Sequence, residues 1–130
     1  MKFSSNLVKR RMGHVRVRGL IGRTRTRTAE VEFLVDTGAF YTVIMPSLAR
    51  ELGLEAQEIS ELTLADKRTV QAGVTVAYMK LLDREGVLPI AIMETPEPLL
   101  GVTALEGLGL RVDPATGELQ HSRPYGLAAI

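Results

Sequence analysis

One hundred and thirty residues, 45% hydrophobic and 24% charged with a net charge of +1, fit one soluble domain with a sizeable core. With no cysteine and only His14 and His121 as imidazoles, the chain excludes disulfides, thiolate catalysis, a cysteine-based zinc site and a histidine-rich metal centre, and leaves a Ser-His-Asp triad little to recruit. No stretch approaches the roughly 18 apolar residues of a membrane span, and the N-terminus carries one lysine without an apolar signal segment, so a cytoplasmic protein is expected.

Residues 1–13 read as a basic tail without a clear period, ahead of a single domain over 14–130. From His14 to Leu20 basic and apolar residues alternate at period two, which predicts a half-buried first strand. The polar run GRTRTRT, opened by Gly22, reads as a hairpin turn. AEVEFLV then returns as a second strand with Val31, Phe33 and Val35 on one face. Residues 1–29 hold nine Lys or Arg and no acid, while the remainder holds seven basic and fifteen acidic residues. Such asymmetry suits a nucleic-acid arm or a solvated strand face. No aromatic residue is interleaved with these arginines to stack bases, so nucleic acid is not an expected partner.

After the loop DTGA, the run YTVIM is β-branched and apolar, a third strand. Pro46 opens a short helix, SLARELGL, that Gly53 closes. Residues 59–64 and 69–82 read as two arms of a hairpin across ADKR, with Gly73 suggesting a bulge or bend in the second arm. DREG is a turn, VLPIAIM a buried strand with an edge or a start at Pro89, and TPEP a rigid loop. VTALEGLGL is a second short helix and RVDPATGEL a strand-turn-strand pair. PSLARELGLE and VTALEGLGLR echo one another, each following an apolar run that meets a glycine. That echo suggests a pseudo-twofold within the chain.

The chemistry concentrates in FLVDTGA, residues 33–39. An apolar strand that runs into Asp36 sets a problem, because a buried carboxylate without a partner is costly. Gly38 permits close approach, and Asp36 and Thr37 can hydrogen-bond locally to shape a compact turn between two core strands. On its own, such a turn is also an ordinary surface loop.

FLVDTGAFYTVI resembles the active-site segment of aspartic peptidases, and one motif copy in a short chain resembles their retropepsin-like, retroviral-type branch. LLGVTALEGLGLRVDPATGEL resembles that family's second signature, and LTLADKRTVQAG lies where the family places its flap. The resemblance implies an all-β fold, a closed acid-protease-type barrel half with one or two short helices, and a flap over residues 60–76. It implies an aspartic endopeptidase without cofactor or metal, acting on polypeptides as a homodimer. Two Asp36 carboxylates then share a proton and activate a water. No other aspartate matches the motif, whether Asp66, Asp83 or Asp113, so the twin must come from a second copy.

By the same resemblance Thr37 locks the two active-site loops together, Gly38 leaves backbone room, and Ala39 and Phe40 line the cleft floor. Leu64, Ala65, Asp66, Lys67 and Arg68 form the flap tip, and Gly101 packs closely behind the catalytic loop. ADKR lacks the glycine common in such flaps, and a lysine there implies a blunter flap or a preference for acidic substrate residues. HSRPYGLAAI falls where viral relatives interleave their terminal strands, although Pro124 and Gly126 suit a central strand poorly. The alternative function is a catalytically weak or inactive dimerisation or peptide-binding module on the same fold.

Overall fold

The protein is represented by a computed structural model that describes residues 15–64 and 66–124. The basic tail, Ala65 and residues 125–130 lie outside the described residues. Alternation makes β1 (Arg16–Thr24) a strand whose Val17 and Ile21 are buried while Arg16 and Arg18 reach water. β2 (Arg27–Val35) returns antiparallel, with Phe33 opposite Val17. The hairpin reaches further than GRTRTRT suggests: pairing runs to Thr24 and resumes at Arg27, with a register shift between Gly22 and Thr24. Polar side chains that point outward do not end a strand. A Cβ at Gly22 would overlap the Arg27 carbonyl, so glycine there serves a close strand crossing.

β3 (Thr42–Ile44) leads into α1 (Pro46–Leu52), which has Pro46 in its first turn and ends at Gly53 with φ 73°, in the left-handed region. β4 (Glu58–Thr63) and β5 (Thr69–Leu81) form a long hairpin, and β6 (Arg84–Ile92) folds back on β5. The chain closes with β7 (Leu99–Leu100), α2 (Val102–Leu108), β8 (Leu110–Val112) and β9 (Leu119–His121). α2 ends as α1 does, at a left-handed glycine, Gly109 with φ 69°. That is the local echo visible in the sequence.

β1 pairs with both β2 and β5, so β1, β2, β7, β3, β6 and β5 close into a ring, with β4 added outside β5. This is an all-β, acid-protease-type barrel. Phe33, Ile21, Met79, Leu81 and Ile90 fill it, each fully buried. Burial of side chains this size supplies the main drive to fold, about 1.5–3 kcal/mol each.

Two strand expectations are refined. Gly73 produces no bulge: the registers to β4 and β6 run through it without a shift, and the glycine instead admits Ala56, whose Cβ would lie 2.6 Å from an added Cβ. Pro89 sits opposite Val76 within the β5–β6 ladder, while β3 begins only opposite Ile90. Its missing N–H therefore falls beside an open edge.

The Arg25 guanidinium reaches from the β1–β2 turn to Glu85 at 2.9 and 2.6 Å, and the Tyr78 hydroxyl donates to the same carboxylate at 2.7 Å. Hydrogen bonds from Arg25, then Tyr78, lower the Glu85 carboxyl to about 2. A depressed folded value stabilises the fold above the ordinary glutamate range, and that contribution is lost as pH falls through this range toward 2. The effect is modest, because the Arg25 side chain is 71% exposed. Urea midpoints measured at neutral pH and near the acid end of that window are expected to fall less in Glu85→Gln than in the wild type. Equal acid sensitivity would contradict the assignment.

Candidate active site

The Asp36 turn begins where β2 runs out. Val35 is the last β2 residue, paired with Leu100 of β7. The Asp36 N–H then donates to the Leu100 carbonyl at 2.9 Å, and Ala39 N–H donates back to the Asp36 carbonyl at 3.0 Å. Gly38 N–H donates to Asp36 Oδ1 at 3.1 Å, which turns one carboxylate oxygen over its own loop. Gly38 is not in a left-handed conformation, and only Asp36 Oδ1 comes within 4 Å of where its Cβ would sit. Its use is the N–H that it gives to Asp36 and the open space around it.

The loop is held from behind. β7 inserts between β2 and β3, parallel to the first and antiparallel to the second, so the strands flanking the turn are not paired with each other. Gly101 follows β7 directly. A Cβ there would overlap the Tyr41 carbonyl and come 2.8 Å from the Thr42 nitrogen. The Gly101 N–H donates to the Oγ1 of fully buried Thr42 at 3.1 Å. A helix leaves its first N–H groups without intrahelical partners. In α2 these groups find the Asp36 loop: Val102 N–H donates to the Ala39 carbonyl at 2.8 Å and Thr103 N–H to the Phe40 carbonyl at 3.2 Å, with Thr103 Oγ1 donating to the latter at 2.6 Å. Helix, β7 and loop form one hydrogen-bonded unit.

Asp36 borders two grooves. One, of about 610 Å³, has Gly38, Ala39 and Phe40 beside Asp36 on one side, the β4 residues Leu62 and Thr63 above, and Met93 to Pro96 with Leu99 as its wall. The second, of about 630 Å³, leaves from Asp36 and Thr37 in the other direction, toward α2 and β8, between Val15, Leu105 and Val112. Thr37 is exposed and its hydroxyl has no hydrogen-bond partner among the described residues.

Residues 14–104 match the Aspartyl protease family, a span that takes in both the Asp36 turn and Gly101. The chain belongs to the aspartyl proteases. A search of curated proteins finds no match. Among solved structures the fold is similar to that of "EIAV protease complexed with the inhibitor HBY-793", with a TM-score of 0.60 and 19% identity over 75% of this chain and 90% of that one. At that identity the likeness carries the retroviral protease fold.

Within this aspartyl protease, Asp36, Gly38, Ala39, Phe40 and Leu64 come together on the 610 Å³ groove, while Thr37 faces the other one. Phe40 is 62% exposed and meets Tyr41 edge-on, with ring centroids 5.0 Å apart. Asp66 and Lys67 do not border the groove. Asp66 accepts from the Arg68 N–H at 3.0 Å and Nε at 2.6 Å, and these bonds, the backbone one foremost, hold its carboxyl below the usual range. Lys67 has φ 69°, so a lysine takes the left-handed position that glycine fills at no steric cost. Ala65 lies outside the described residues.

Tyr41, Leu62, Met93, Pro96 and Leu99 were not marked as cleft residues by the sequence, yet each lines the groove. The usable signal was Leu99 and Leu100 ahead of Gly101. Of that pair, Leu99 lines the groove while Leu100 is fully buried.

Proposed function

We propose that this aspartyl protease is a cytoplasmic endopeptidase that works as a homodimer, with one Asp36 from each subunit forming the catalytic pair. The observation that carries the reading is the place of Asp36, the carboxylate that borders both a substrate-sized groove and a second open surface. Asp66 lies on the hairpin turn, Asp83 is paired with His121 at 2.7 Å, and Asp113 lies in the β8–β9 turn. None of these stands beside Asp36. A twofold axis past Thr37 supplies the twin.

Two carboxylates about 3 Å apart cannot both ionise, so the pair holds one proton between them. The ionised member takes a proton from water, which attacks the peptide carbonyl, while the protonated member hydrogen-bonds the carbonyl oxygen. A tetrahedral diol forms; its collapse breaks the C–N bond as the leaving amine gains a proton from the pair. The exposed Thr37 hydroxyl ties one loop to its copy. The peptide lies extended between the floor at Ala39 and Phe40 and the β4–β5 hairpin, which acts as the flap, and Leu62, Leu64 and Leu99 favour apolar residues beside the cut bond.

The test is the initial rate of peptide cleavage near about pH 5 against protein concentration. Below the dimer dissociation constant the rate is expected to rise as about the square of concentration, then linearly above it. The pH profile is expected to be bell-shaped, with both limbs belonging to the pair. First-order dependence in a particle that sediments as a monomer would contradict the reading. A dimer that binds peptides without turnover would leave the binding-module alternative.

A further inference from the structure

We propose that Glu106 and Arg111 form two reciprocal ion pairs across the homodimer, Glu106 of each subunit facing Arg111 of its copy, and that these set the register in which the Asp36 loops meet. The proposal rests on the homodimeric reading above and names the surface that makes the dimer.

Both residues border the second groove, which starts at Asp36 and Thr37 and is otherwise walled largely by apolar side chains such as Val15, Leu105 and Val112. A twofold that passes Asp36 on the Thr37 side also brings this adjoining surface toward its own copy. An isologous interface is one patch meeting itself, so a lone cation on it would face a cation or nothing. A patch holding one anion and one cation is self-complementary when each faces the other's opposite.

Neither side chain is used among the described residues. Both side chains are exposed, and neither has an ion pair or side-chain hydrogen bond among the described residues. At Glu106 the main-chain carbonyl accepts from Arg123 at 3.0 Å and from the Gly109 N–H at 3.1 Å, contacts that do not involve the carboxylate. Helix stability does not account for Glu106 either. It stands in the last turn of α2, where the carbonyl ends make a negative charge unfavourable.

The two groups also sit on a braced frame. Buried Arg84 donates to the Leu108 carbonyl at 2.9 Å and the Gly109 carbonyl at 3.3 Å, which ties down the corner between α2 and β8. β9 pairs with β8 in the same chain, His121 opposite Leu110. The strand that closes this region is thus paired in cis as far as His121, which leaves side chains to define how two copies align.

The test is sedimentation equilibrium together with peptide cleavage. Glu106→Arg and Arg111→Glu each place two like-charged pairs in a dimer and are expected to raise its dissociation constant at least about tenfold. An equimolar mixture of the two variants makes every cross-subunit pair opposite in sign. It is expected to recover dimer and cleavage, as is the single chain carrying both reversals. Single variants that dimerise like the wild type would overturn the proposal, as would a mixture and a double reversal that both stay monomeric while the wild type dimerises. A monomeric wild type would overturn the homodimeric reading itself, and this proposal with it.

Discussion

Asp36→Asn is expected to lower kcat/KM for peptide cleavage by at least about a thousandfold, because proton transfer by a placed acid or base contributes on that order. One substitution removes both members of the pair, since each subunit supplies one. Asparagine keeps the shape of the side chain and an oxygen to accept from Gly38 N–H, the 3.1 Å contact that shapes the turn. Fold and dimer should therefore survive, which sedimentation checks. Subunit mixing sharpens the result. When wild-type and variant chains are equilibrated in equal amounts, activity is expected to fall to about one quarter of the all-wild-type rate, because only dimers with two intact chains carry the pair. Activity that falls only by half would show each subunit acting alone, and undiminished cleavage by the variant would place the chemistry elsewhere.

Gly101→Ala is the second large effect, and it acts on stability. The added Cβ would overlap the Tyr41 carbonyl and crowd the Thr42 nitrogen at 2.8 Å, all main-chain atoms between the catalytic turn and β3. Backbone does not swing aside as a flexible side chain does, so overpacking here is expected to cost about 3 kcal/mol or more. Cleavage should fall with it, since relief requires α2 to draw back from the Ala39 and Phe40 carbonyls it now holds. Gly86→Ala is the control. Its Cβ would meet only Leu108 Cδ2, at 3.4 Å, and the change in stability is expected to stay within about 1 kcal/mol. Urea unfolding of the two variants separates the outcomes. A Gly101→Ala protein as stable as the wild type would show that β7 is not clamped behind the loop.

What could be read from the sequence followed from local periodicity and turn chemistry. Val31, Phe33 and Val35 alternate, and Pro46 and Gly53 mark the ends of α1, so both elements form where expected. The Asp36 turn was legible because its residues are contiguous. β7 was not, because a strand of Leu99 and Leu100 is too short to show a period, and its place between β2 and β3 is decided by pairing across the chain. Barrel closure was expected through the family resemblance but not legible in local period, because it depends on Ile21 meeting Met79. Lys67 shows a different limit. The absence of glycine from ADKR suggested a blunter turn, yet a lysine adopts the left-handed angle while Asp66 braces the turn through Arg68. Met93 and Pro96 reach the groove only through the path of the chain after β6. Glu106 and Arg111 carry no motif, and only the corner between α2 and β8 sets them along one groove beside Asp36.

The central claim is that Asp36 works with its own copy. A crystal structure of the active protein with a peptide analogue that mimics the tetrahedral diol tests it most directly. The account predicts two chains related by a twofold, their Asp36 carboxylates about 3 Å apart and both against the diol. One chain closing around the peptide by itself, or two chains whose Asp36 side chains stand far apart, would contradict it.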